Sequence, residues 1–274
     1  MYITINDDFD LDKIIDSGQC FRPCRTGRKN NAYTYRFITG NHVLYISGTD
    51  DKNVYDVSCS KNEWDEVWSY YFDLKLDYAS IRSIIPGKDT YMKECSCDGE
   101  GIRILNQDKW EMLISFIISQ RKSIPAIRSC VEKLCERYGT RINTKEETVF
   151  LFPTPEQLIN VTDKELADCA LGYRVGYIMD AVRKVYYNDI DLDDIENYDD
   201  EELFNELLKI KGVGKKVANC VMLFAYHRTS RAPVDVWIQR VIDTFYDGTD
   251  PFPDYKDYAG IMQQYVFYHI QNKH

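Results

Sequence analysis

The spacing of apolar residues along the chain changes near residue 60. Before that point, residues 33–38 and 43–47 form short runs rich in aromatic and β-branched side chains, and Gly40-Asn41 between them can form a turn. From Asn62 onward, apolar residues recur every three or four positions, as they do on one face of a helix. The pattern therefore predicts an α+β fold, with a small antiparallel β-sheet at the amino terminus followed by a mostly helical domain.

Several helix starts are marked by a polar residue that is followed three positions later by Glu or Gln. In this arrangement the first side chain accepts a hydrogen bond from a free amide at the helix start, and the Glu or Gln side chain accepts one from the backbone amide of the first residue. The pairs are Asp108 with Glu111, Thr154 with Gln157, and Thr162 with Glu165.

The most informative stretch is 207–225, in which two apolar helices flank a glycine turn. The first helix is predicted to end near Ile210 and the second to begin near Lys215. Gly212 and Gly214 between them allow positive φ and a close approach of the backbone. This string is typical of a helix-hairpin-helix element, whose amides and second helix hold a DNA phosphate without reading bases. We therefore predict that Gly212, Gly214 and Lys215 bind DNA.

These patterns predict two domains. Residues 1–98 would form the antiparallel β domain with flanking helices. This domain would be packed on a helical domain of residues 99–274, with the helix-hairpin-helix at about 203–227.

The charge distribution supports a DNA-binding role only locally. The net charge of −10 is unfavourable for a general binder of polyanions. Residues 189–206 hold ten acidic side chains and no basic one, whereas residues 207–240 hold seven basic side chains and one acidic one, Asp235. The change of sign falls on the helix-hairpin-helix segment.

Lys216 follows Lys215 at the predicted start of the second helix. A neighbouring cation and partial desolvation both favour the neutral form of an amine, and a neutral amine is a nucleophile that can form a Schiff base. Taken alone, Lys215 and Lys216 are better explained as two surface lysines that contact phosphates.

Asp235 favours a catalytic role for Lys216 over a phosphate contact. It follows Ala232-Pro233-Val234 and precedes a predicted helix at 236–246, so it is expected to cap that helix. A capping carboxylate that faces a cleft can also stabilise positive charge on a sugar. Glycosidic cleavage at C1′ needs a nucleophile and such a carboxylate, and Lys216 and Asp235 fit these two roles.

Together these residues resemble the 8-oxoguanine DNA glycosylases of the helix-hairpin-helix superfamily, in particular a bacterial branch, over nearly the whole chain. The resemblance implies that Lys216 attacks C1′ and displaces the damaged base. It also implies that the resulting Schiff base permits strand cleavage by β-elimination, assisted by Asp235. The implied partner is double-stranded DNA that contains oxidised guanine.

The resemblance also implies four residues that bind the flipped base. Residues 17–22 are similar to the family's amino-terminal motif, in which the carbonyl of Gly18 would accept the N7 hydrogen that 8-oxoguanine has and guanine lacks. Gln263 and Phe267, four apart on one helix face, would read the Watson–Crick edge and stack on the base. Cys220, one turn after Lys216, would form the other stacking wall.

Two further segments are similar to the family's duplex-probing loops. In the segment 171–174, Tyr173 would wedge into the duplex and Arg174 would contact the opposite cytosine. In the segment 115–122, Arg121 would fill the gap left by the flipped base. The family commonly has asparagines where Arg121 and Lys122 stand here, so the contacts of Arg121 must differ.

Two other positions depart from the family pattern. Where the family has a second arginine that contacts the opposite cytosine, this chain has Ala126, which predicts a relaxed preference for the opposite base. Where the family often has a histidine two positions after the catalytic aspartate, this chain has Trp237, so one phosphate contact of the family has no counterpart residue here.

Two alternatives stay open from the residues alone. One is a glycosylase of the same superfamily for another damaged base. Iron–sulfur members carry four closely spaced cysteines near the carboxyl end, whereas the last cysteine here is Cys220, and adenine-mismatch and alkylpurine enzymes typically lack the lysine at Lys216. The other is a non-catalytic protein that uses the hairpin as a phosphate clamp, for which Lys216→Gln would weaken binding to all DNA without a loss of chemistry.

The composition bears on metal sites, membrane segments and cellular location. The nine cysteines show no paired metal-ligand spacing, so we expect reduced thiols, no metal and no cofactor. The acidic amino terminus has no apolar core, and no apolar run is long enough for a membrane span. We expect a cytoplasmic, nucleoid-associated protein with no membrane partner, and a monomer because no coiled-coil pattern is present.

Overall fold

The computed structural model describes residues 1–29 and 32–273. Five strands form one sheet in the order β1-β5-β4-β3-β2, in which the pairs β1–β5, β4–β5 and β2–β3 are antiparallel. The strands are β1 (Tyr2–Thr4), β2 (Cys24–Lys29), β3 (Ala32–Thr39), β4 (His42–Gly48) and β5 (Val54–Val57). The runs at 33–38 and 43–47 lie within β3 and β4, so the predicted amino-terminal sheet is confirmed.

Helices make up most of the remaining described chain, as predicted. They are α1 (Leu11–Asp16), α2 (Lys61–Glu63), α3 (Ser69–Tyr71), α4 (Tyr78–Ser83), α5 (Thr90–Asp98), α6 (Lys109–Ser119), α7 (Ile124–Tyr138), α8 (Pro155–Leu158), α9 (Asp163–Ala167), α10 (Val175–Tyr186), α11 (Asp200–Leu208), α12 (Lys215–Phe224), α13 (Val236–Phe245) and α14 (Ala259–Lys273). A wider π-type turn, Trp64–Trp68, joins α2 to α3, and 3-10 turns lie at Gly172–Arg174, Asp194–Asn197 and Phe252–Tyr258. A small two-stranded sheet of β6 (Arg141–Asn143) and β7 (Thr148–Phe150) was not predicted.

The predicted helix caps are present. Thr154 with Gln157 and Thr162 with Glu165 form reciprocal capping boxes at the starts of α8 and α9. The Asp108 side chain accepts the amide of Glu111 at the start of α6. Each cap satisfies an amide that has no partner within its helix, which fixes where the helix begins.

The chain divides into two compact units that are not sequential. The first unit consists of residues 1–37, 43–106 and 227–274, and the second unit consists of residues 38–42 and 107–226. The boundary predicted between residues 98 and 99 follows the chain in order and stays a prediction. In the structure, the segment 227–274 belongs with the amino-terminal part, because α14 packs against α5.

The core of the first unit contains a fully buried cation, Arg103. Its guanidinium donates to the Asp7 carboxylate at 2.9 Å and to the carbonyl oxygens of Phe72 at 3.0 Å and Asp8 at 2.8 Å. A buried charge is costly unless it is paired and hydrogen-bonded in this way. The backbone around Arg103 is therefore held at many points.

The core of the second unit is built around α6, which packs against α12, α7 and α10. Leu113, Ile114 and Ile117 of α6 are completely buried. The ring of Phe116 stacks on Phe224 of α12, with ring centroids 5.5 Å apart and an interplanar angle of 12°. A helix that is apolar on nearly all sides is expected to lie in a core, and α6 therefore provides a rigid base for α12.

Candidate active site and DNA-binding elements

The predicted hairpin lies in the second unit between α11 and α12. The first helix ends at Leu208, close to the predicted Ile210, and the second begins at Lys215. Gly212 has φ +86°, and a Cβ atom there would lie 2.3 Å from the ring of Tyr177. Both the backbone conformation and the space therefore require glycine at position 212.

Gly214 does not adopt the conformation that the sequence predicted. Its φ and ψ are −98° and −179°, which is extended backbone that any residue can adopt, and a Cβ atom would meet open space. The prediction of positive φ at Gly214 is wrong, because a single left-handed residue, Gly212, completes the turn. As the cap of α12, Gly214 has no side chain to occupy the first amides of the helix, which remain open to an anion.

Two side chains hold the hairpin from outside, and sequence reasoning missed both roles. The Asp180 carboxylate of α10 accepts the amide of Lys211 at 2.8 Å. The Gln120 Nε2 donates to the carbonyl of Gly212 at 3.1 Å. Gln120 lies inside the segment that the sequence linked to the DNA gap, but a single amide or carboxylate carries no periodic signal.

Lys216 lies on the first turn of α12, half-buried. Its Nζ is 5.4 Å from the centroid of the Phe116 ring, which is within the range of a cation–π contact. Phe116 in turn stacks on Phe224, so the ring is fixed. Cys220, one turn later on α12, is buried. The amine is therefore held beside an apolar surface that excludes water from one side.

The predicted duplex-probing side chains differ in exposure. Tyr173 is 54% exposed, and Arg121 is exposed with φ +54°. Arg174 is only 5% exposed, and its guanidinium donates to the carbonyl of Leu171 at 3.2 Å and to the carbonyl of Gln120. The backbone carbonyls of its own unit bind the Arg174 guanidinium, whereas the Tyr173 ring is exposed. The contacts of both side chains with DNA stay predictions.

In the first unit, Gly18 lies in a tight turn after α1. Its φ of +79° requires glycine, and its neighbours Ser17 and Gln19 are completely buried. The Gln19 side chain donates to the carbonyl of Arg103 at 2.8 Å and accepts the amide of Leu105 at 2.8 Å. Within residues 1–29 and 32–273, the Gly18 carbonyl accepts no hydrogen bond.

The same turn is attached to α14. The Gln264 side chain donates to the carbonyl of Ser17, so α14 and the Gly18 turn are held together within the first unit. Gln263, one residue earlier, is 5% exposed, and its Oε1 is buried without a hydrogen-bond partner in the described chain. Phe267 is half-buried one turn later on α14. A buried acceptor without a partner is costly, so Gln263 is suited to a ligand that donates.

Asp235 caps α13, as predicted. Its Oδ1 accepts the amides of Trp237 and Ile238, each at 2.9 Å. In the part of the chain that the structure describes, its Oδ2 makes no hydrogen bond. One carboxylate oxygen therefore fixes the side chain and the other is available for chemistry.

Trp237, where the family carries a histidine, is 42% exposed and lies under the guanidinium of Arg240, whose Cζ is 5.0 Å from a ring centroid. The indole stands in place of the imidazole and cannot make the same polar contact with a phosphate.

The sequence-predicted residues are thus divided between the units. The first unit carries Gly18, Asp235, Gln263 and Phe267, and it joins the Gly18 turn to the helix of Gln263 and Phe267. The second unit carries Lys216, Cys220, the hairpin and the residues Arg121, Tyr173 and Arg174.

In residues 1–29 and 32–273, no group of three or more His, Cys, Asp or Glu side chains has the arrangement of a metal site. The helices of the same ranges include none with the length and apolar character needed to cross a membrane.

Comparison with family models identifies both parts of the chain. Residues 2–113 match the model described as 8-oxoguanine DNA glycosylase, N-terminal domain. Residues 114–264 match the model described as HhH-GPD superfamily base excision DNA repair protein.

Individual proteins agree with the family models. The chain is 29% identical over 233 residues to a probable N-glycosylase/DNA lyase of Methanothermobacter thermautotrophicus, covering 74% of this chain and 73% of that protein. It is 32% identical over 254 residues to the N-glycosylase/DNA lyase of Saccharomyces cerevisiae, covering 84% of this chain and 66% of the yeast protein. A crystal structure of the Clostridium acetobutylicum 8-oxoguanine glycosylase/lyase with double-stranded DNA containing cytosine opposite 8-oxoguanine superimposes with a TM-score of 0.87. This match has 32% identity and covers 100% of this chain and 98% of that chain.

Proposed function

The chain belongs to the HhH-GPD superfamily of base excision DNA repair proteins, and on that basis we propose that it excises 8-oxoguanine from duplex DNA and then cleaves the strand. It is a bifunctional DNA glycosylase and lyase, like the relatives that carry the name N-glycosylase/DNA lyase. The observation that carries the proposal is Lys216, a half-buried amine on the first turn of the helix that follows the glycine hairpin.

Lys216 is the nucleophile of the proposed reaction. Its neutral amine forms a bond to C1′ while the bond from C1′ to the base breaks, and the base leaves with that electron pair and takes up a proton. Opening of the sugar ring then gives a Schiff base between C1′ and Lys216. Loss of a proton from C2′ expels the 3′ phosphate and breaks the strand. The contact with Phe116 supports this role, because the ring is itself stacked on Phe224 and limits the positions that the Lys216 amine can adopt.

Asp235 is the carboxylate partner of the nucleophile. As the bond from C1′ to the base breaks, positive charge develops on the sugar, and a nearby carboxylate stabilises that charge. The free Oδ2 supports the assignment, since Oδ1 alone carries both capping hydrogen bonds.

Residues of the first unit recognise the edges of the base. The unoccupied carbonyl of Gly18 accepts the N7 hydrogen of 8-oxoguanine, and the unpaired Oε1 of Gln263 accepts a donor on the Watson–Crick edge. Phe267 and Cys220 stack on the two faces of the base. Flipping the base out of the duplex is what gives these groups access to its edges.

Contacts with the duplex come from the hairpin and from the segments 115–122 and 171–174. The backbone at Gly212 and Gly214 and the first amides of α12 bind a phosphate, helped by Lys215. Tyr173 wedges into the base stack and Arg121 fills the space of the flipped base. Their exposure supports these roles, and Arg174, which follows Tyr173 in the same turn, contacts the opposite base.

A borohydride trapping experiment tests the chemistry. A duplex with one 8-oxoguanine opposite cytosine is incubated with the protein and reduced, and the covalent complex is resolved on a denaturing gel. We expect an adduct with the wild type and none with Lys216→Gln, which should still bind the duplex.

Lys215→Gln is the matched control, because it removes the adjacent cation but not the nucleophile. It should still form the adduct, bind all duplexes more weakly, and reduce the salt dependence of binding by a slope of about 1. An adduct only with oxidised pyrimidines would keep the superfamily and overturn the substrate. No adduct with any damaged base would leave Lys216 as a phosphate contact.

A cytoplasmic, nucleoid-associated location is part of the same proposal, because the substrate is cellular DNA. Fractionation of cells that express the tagged protein, with nuclease release from the DNA fraction, is the direct check.

A further inference from the structure

The first unit contains a cleft that lies apart from the residues assigned to the reaction. It is lined by side chains from the segments 84–91 and 245–258, and we name it the Asp89 cleft. Its volume is about 690 Å³, which is the size of pockets that enclose a small ligand or the side chains of a peptide. The helix α13 begins after Asp235 and ends at Phe245, so the cleft and the carboxylate of Asp235 are separated by about 15 Å of helix.

The two sides of the Asp89 cleft are joined by the carboxylate of Asp89. Its Oδ1 accepts the hydroxyl of Tyr246 and the amide of Met92, each at 3.0 Å, and its Oδ2 accepts the hydroxyl of Tyr255 at 2.7 Å. Burial and the nearby Asp89 raise the pKa of Tyr246 and of Tyr255, so both hydroxyls stay protonated and keep donating. The cleft is therefore formed in advance, and a ligand need not order its walls.

The lining of the cleft exposes apolar surface. The rings of Tyr91 and Phe245 are stacked, with centroids 3.9 Å apart and an interplanar angle of 15°. Phe245 is nevertheless 54% exposed and Ile84 is 48% exposed. Large apolar side chains that are exposed together in a concave surface indicate a site that a ligand covers.

The charge of the cleft favours a cation. Four carboxylates and two ammonium groups line it, which gives a formal charge of −2; they are Asp89, Asp250, Asp254, Asp257, Lys88 and Lys256. The helix α13 also ends here, and the last carbonyls of a helix carry a partial negative charge. A phosphate is therefore disfavoured in this cleft, unlike at the start of α12.

A guanidinium group combines the properties that this lining selects. It is always charged, it stacks on an aromatic face, and its planar set of donors matches a carboxylate. The ring of Phe245 offers such a face, and the carboxylates of Asp254 and Asp257 are exposed at the rim. Ile84 and Pro86, on the other side, offer apolar contacts to whatever adjoins the guanidinium.

We propose that the Asp89 cleft binds an arginine side chain, with an apolar neighbour, from an extended segment of a partner protein. The guanidinium stacks on Phe245 and pairs with the rim carboxylates, and the apolar neighbour covers Ile84. The cleft would thus hold a protein partner on the first unit while the hairpin of the second unit holds DNA. The lining and charge that carry this inference do not depend on the proposed function.

The first test measures binding of a fluorescent peptide, in which arginine is flanked by leucine and proline, to the full-length protein by anisotropy. A second peptide carries citrulline, which is neutral and has nearly the shape of arginine. We expect the citrulline peptide to bind about tenfold more weakly. Equal binding of the two peptides, or no binding of the arginine peptide at about 1 mM, would overturn the proposal.

Free agmatine, which carries a guanidinium without a peptide, distinguishes the source of the ligand. It should displace the arginine peptide only at concentrations about tenfold or more above those of the unlabelled peptide, because it lacks the apolar neighbour. Displacement at equal concentrations would make the cleft a site for a small molecule and overturn the protein partner.

Charge variants test the sign of the site. The double variant of Asp254→Asn and Asp257→Asn should weaken binding of the arginine peptide about tenfold, whereas Lys88→Gln should strengthen it about twofold. Asp243→Asn is the matched control, because it removes an exposed carboxylate of α13 outside the cleft, and it should leave binding unchanged. Weaker binding by Lys88→Gln, or an equal loss in Asp243→Asn, would overturn the assignment of a cation to this cleft.

Variants at Phe245 test the stacking contact. Phe245→Leu keeps an apolar side chain without a flat face and should weaken binding about fivefold, whereas Phe245→Trp should retain it. Urea denaturation establishes that both variants are folded, and the charge variants decide the question if Phe245→Leu is not. Wild-type binding by folded Phe245→Leu would overturn the stacking contact.

Cleavage of a duplex with 8-oxoguanine separates this inference from the proposed function. The cleft variants should cleave it at the rate of the wild type, because the cleft lies at the far end of α13 from Asp235. Loss of cleavage in the folded double aspartate variant would place the cleft in the DNA site and overturn the proposal. If the wild type cleaves no damaged duplex, the proposed function fails, whereas the peptide measurements still decide what the cleft binds.

Discussion

The turn at Gly18 and the hairpin at Gly212 solve the same conformational problem and leave opposite groups free. Each contains a glycine with positive φ, and each is held by side chains from distant parts of its own unit. At Gly18 the flanking residues are fixed by Gln19 and Gln264, and the glycine carbonyl is left unbound. At the hairpin, the carbonyl of Gly212 is bound by Gln120, while the first amides of α12 carry no side-chain cap.

This difference matches the ligand that we propose for each turn. A free carbonyl selects a ligand that donates a hydrogen bond, such as the N7 hydrogen of an oxidised purine. Free amides at a helix start select an anion, such as a phosphate. A glycine turn is therefore not a binding site by itself, because the supporting side chains decide which backbone groups are offered.

The largest expected effect comes from filling the hairpin. Gly212→Ala would place a Cβ atom against the ring of Tyr177 in a left-handed conformation. We expect the free energy of unfolding to fall by about 3 kcal/mol, and binding to any duplex to weaken. Urea denaturation and fluorescence anisotropy with undamaged DNA measure the two effects.

Gly214→Ala is the control for this change, because Gly214 is extended and a Cβ atom meets open space. It should cost less than about 1 kcal/mol. Equal losses for the two alanine variants would show that the hairpin does not depend on one left-handed residue.

A smaller and more selective effect is expected at the other turn. Gly18→Ala must strain a backbone with φ +79° and shift the carbonyl that would face the base. A misplaced hydrogen bond would lower the preference for 8-oxoguanine over guanine roughly 10- to 100-fold. Binding to undamaged duplex should stay within twofold. If Gly18→Ala instead weakened undamaged binding as Gly212→Ala does, the two turns would not have separate functions.

The smallest expected effect concerns pH and only the Gly18 turn. Gln19 donates to the carbonyl of Arg103, whose guanidinium is paired with Asp7 at 2.9 Å. Burial acts to raise the pKa of Asp7, but the amide of Tyr78 and the guanidinium of Arg103 lower it more, so the net pKa lies below the usual 3.8. A depressed carboxyl pKa in the folded state gives stability above the usual pKa that is lost as pH falls through the folded pKa.

We therefore expect the wild type to lose more stability than Asp7→Asn between pH 5 and 3, by less than about 1 kcal/mol once solvent screening of this partly exposed group is allowed for. Urea midpoints at several pH values measure the difference. Identical pH profiles for the two proteins would remove Asp7 from the support of the turn.

The sequence predicted the parts of this molecule that are decided locally. The caps at Thr154 and Thr162, the strands at 33–38 and 43–47 and the hairpin between two helices depend on residues a few positions apart. The cap role of Asp235 belongs to the same class. Such features follow from alternation, spacing and turn chemistry.

Sequence reasoning failed where a residue distant in the sequence determines the conformation or contacts of a site. The contact of the Arg174 guanidinium with the carbonyl of Gln120, 54 positions away, was not predicted. Gly214 was expected to share the strain of the turn, but the fit of Gly212 against Tyr177 settles the conformation. The supporting roles of Asp180 and Gln264 were missed, because a single polar side chain carries no spacing pattern.

The bond from Gln264 to Ser17 also has a consequence for the synthesis of the protein. These two residues are 247 positions apart, so the Gly18 turn cannot gain this contact until the ribosome has made α14. The second unit, which is encoded between them, can fold earlier during translation. A nascent chain would then carry a folded lysine hairpin before the Gly18 turn is complete, and if this turn selects the base as proposed, selectivity for damage would be acquired late, when α14 docks.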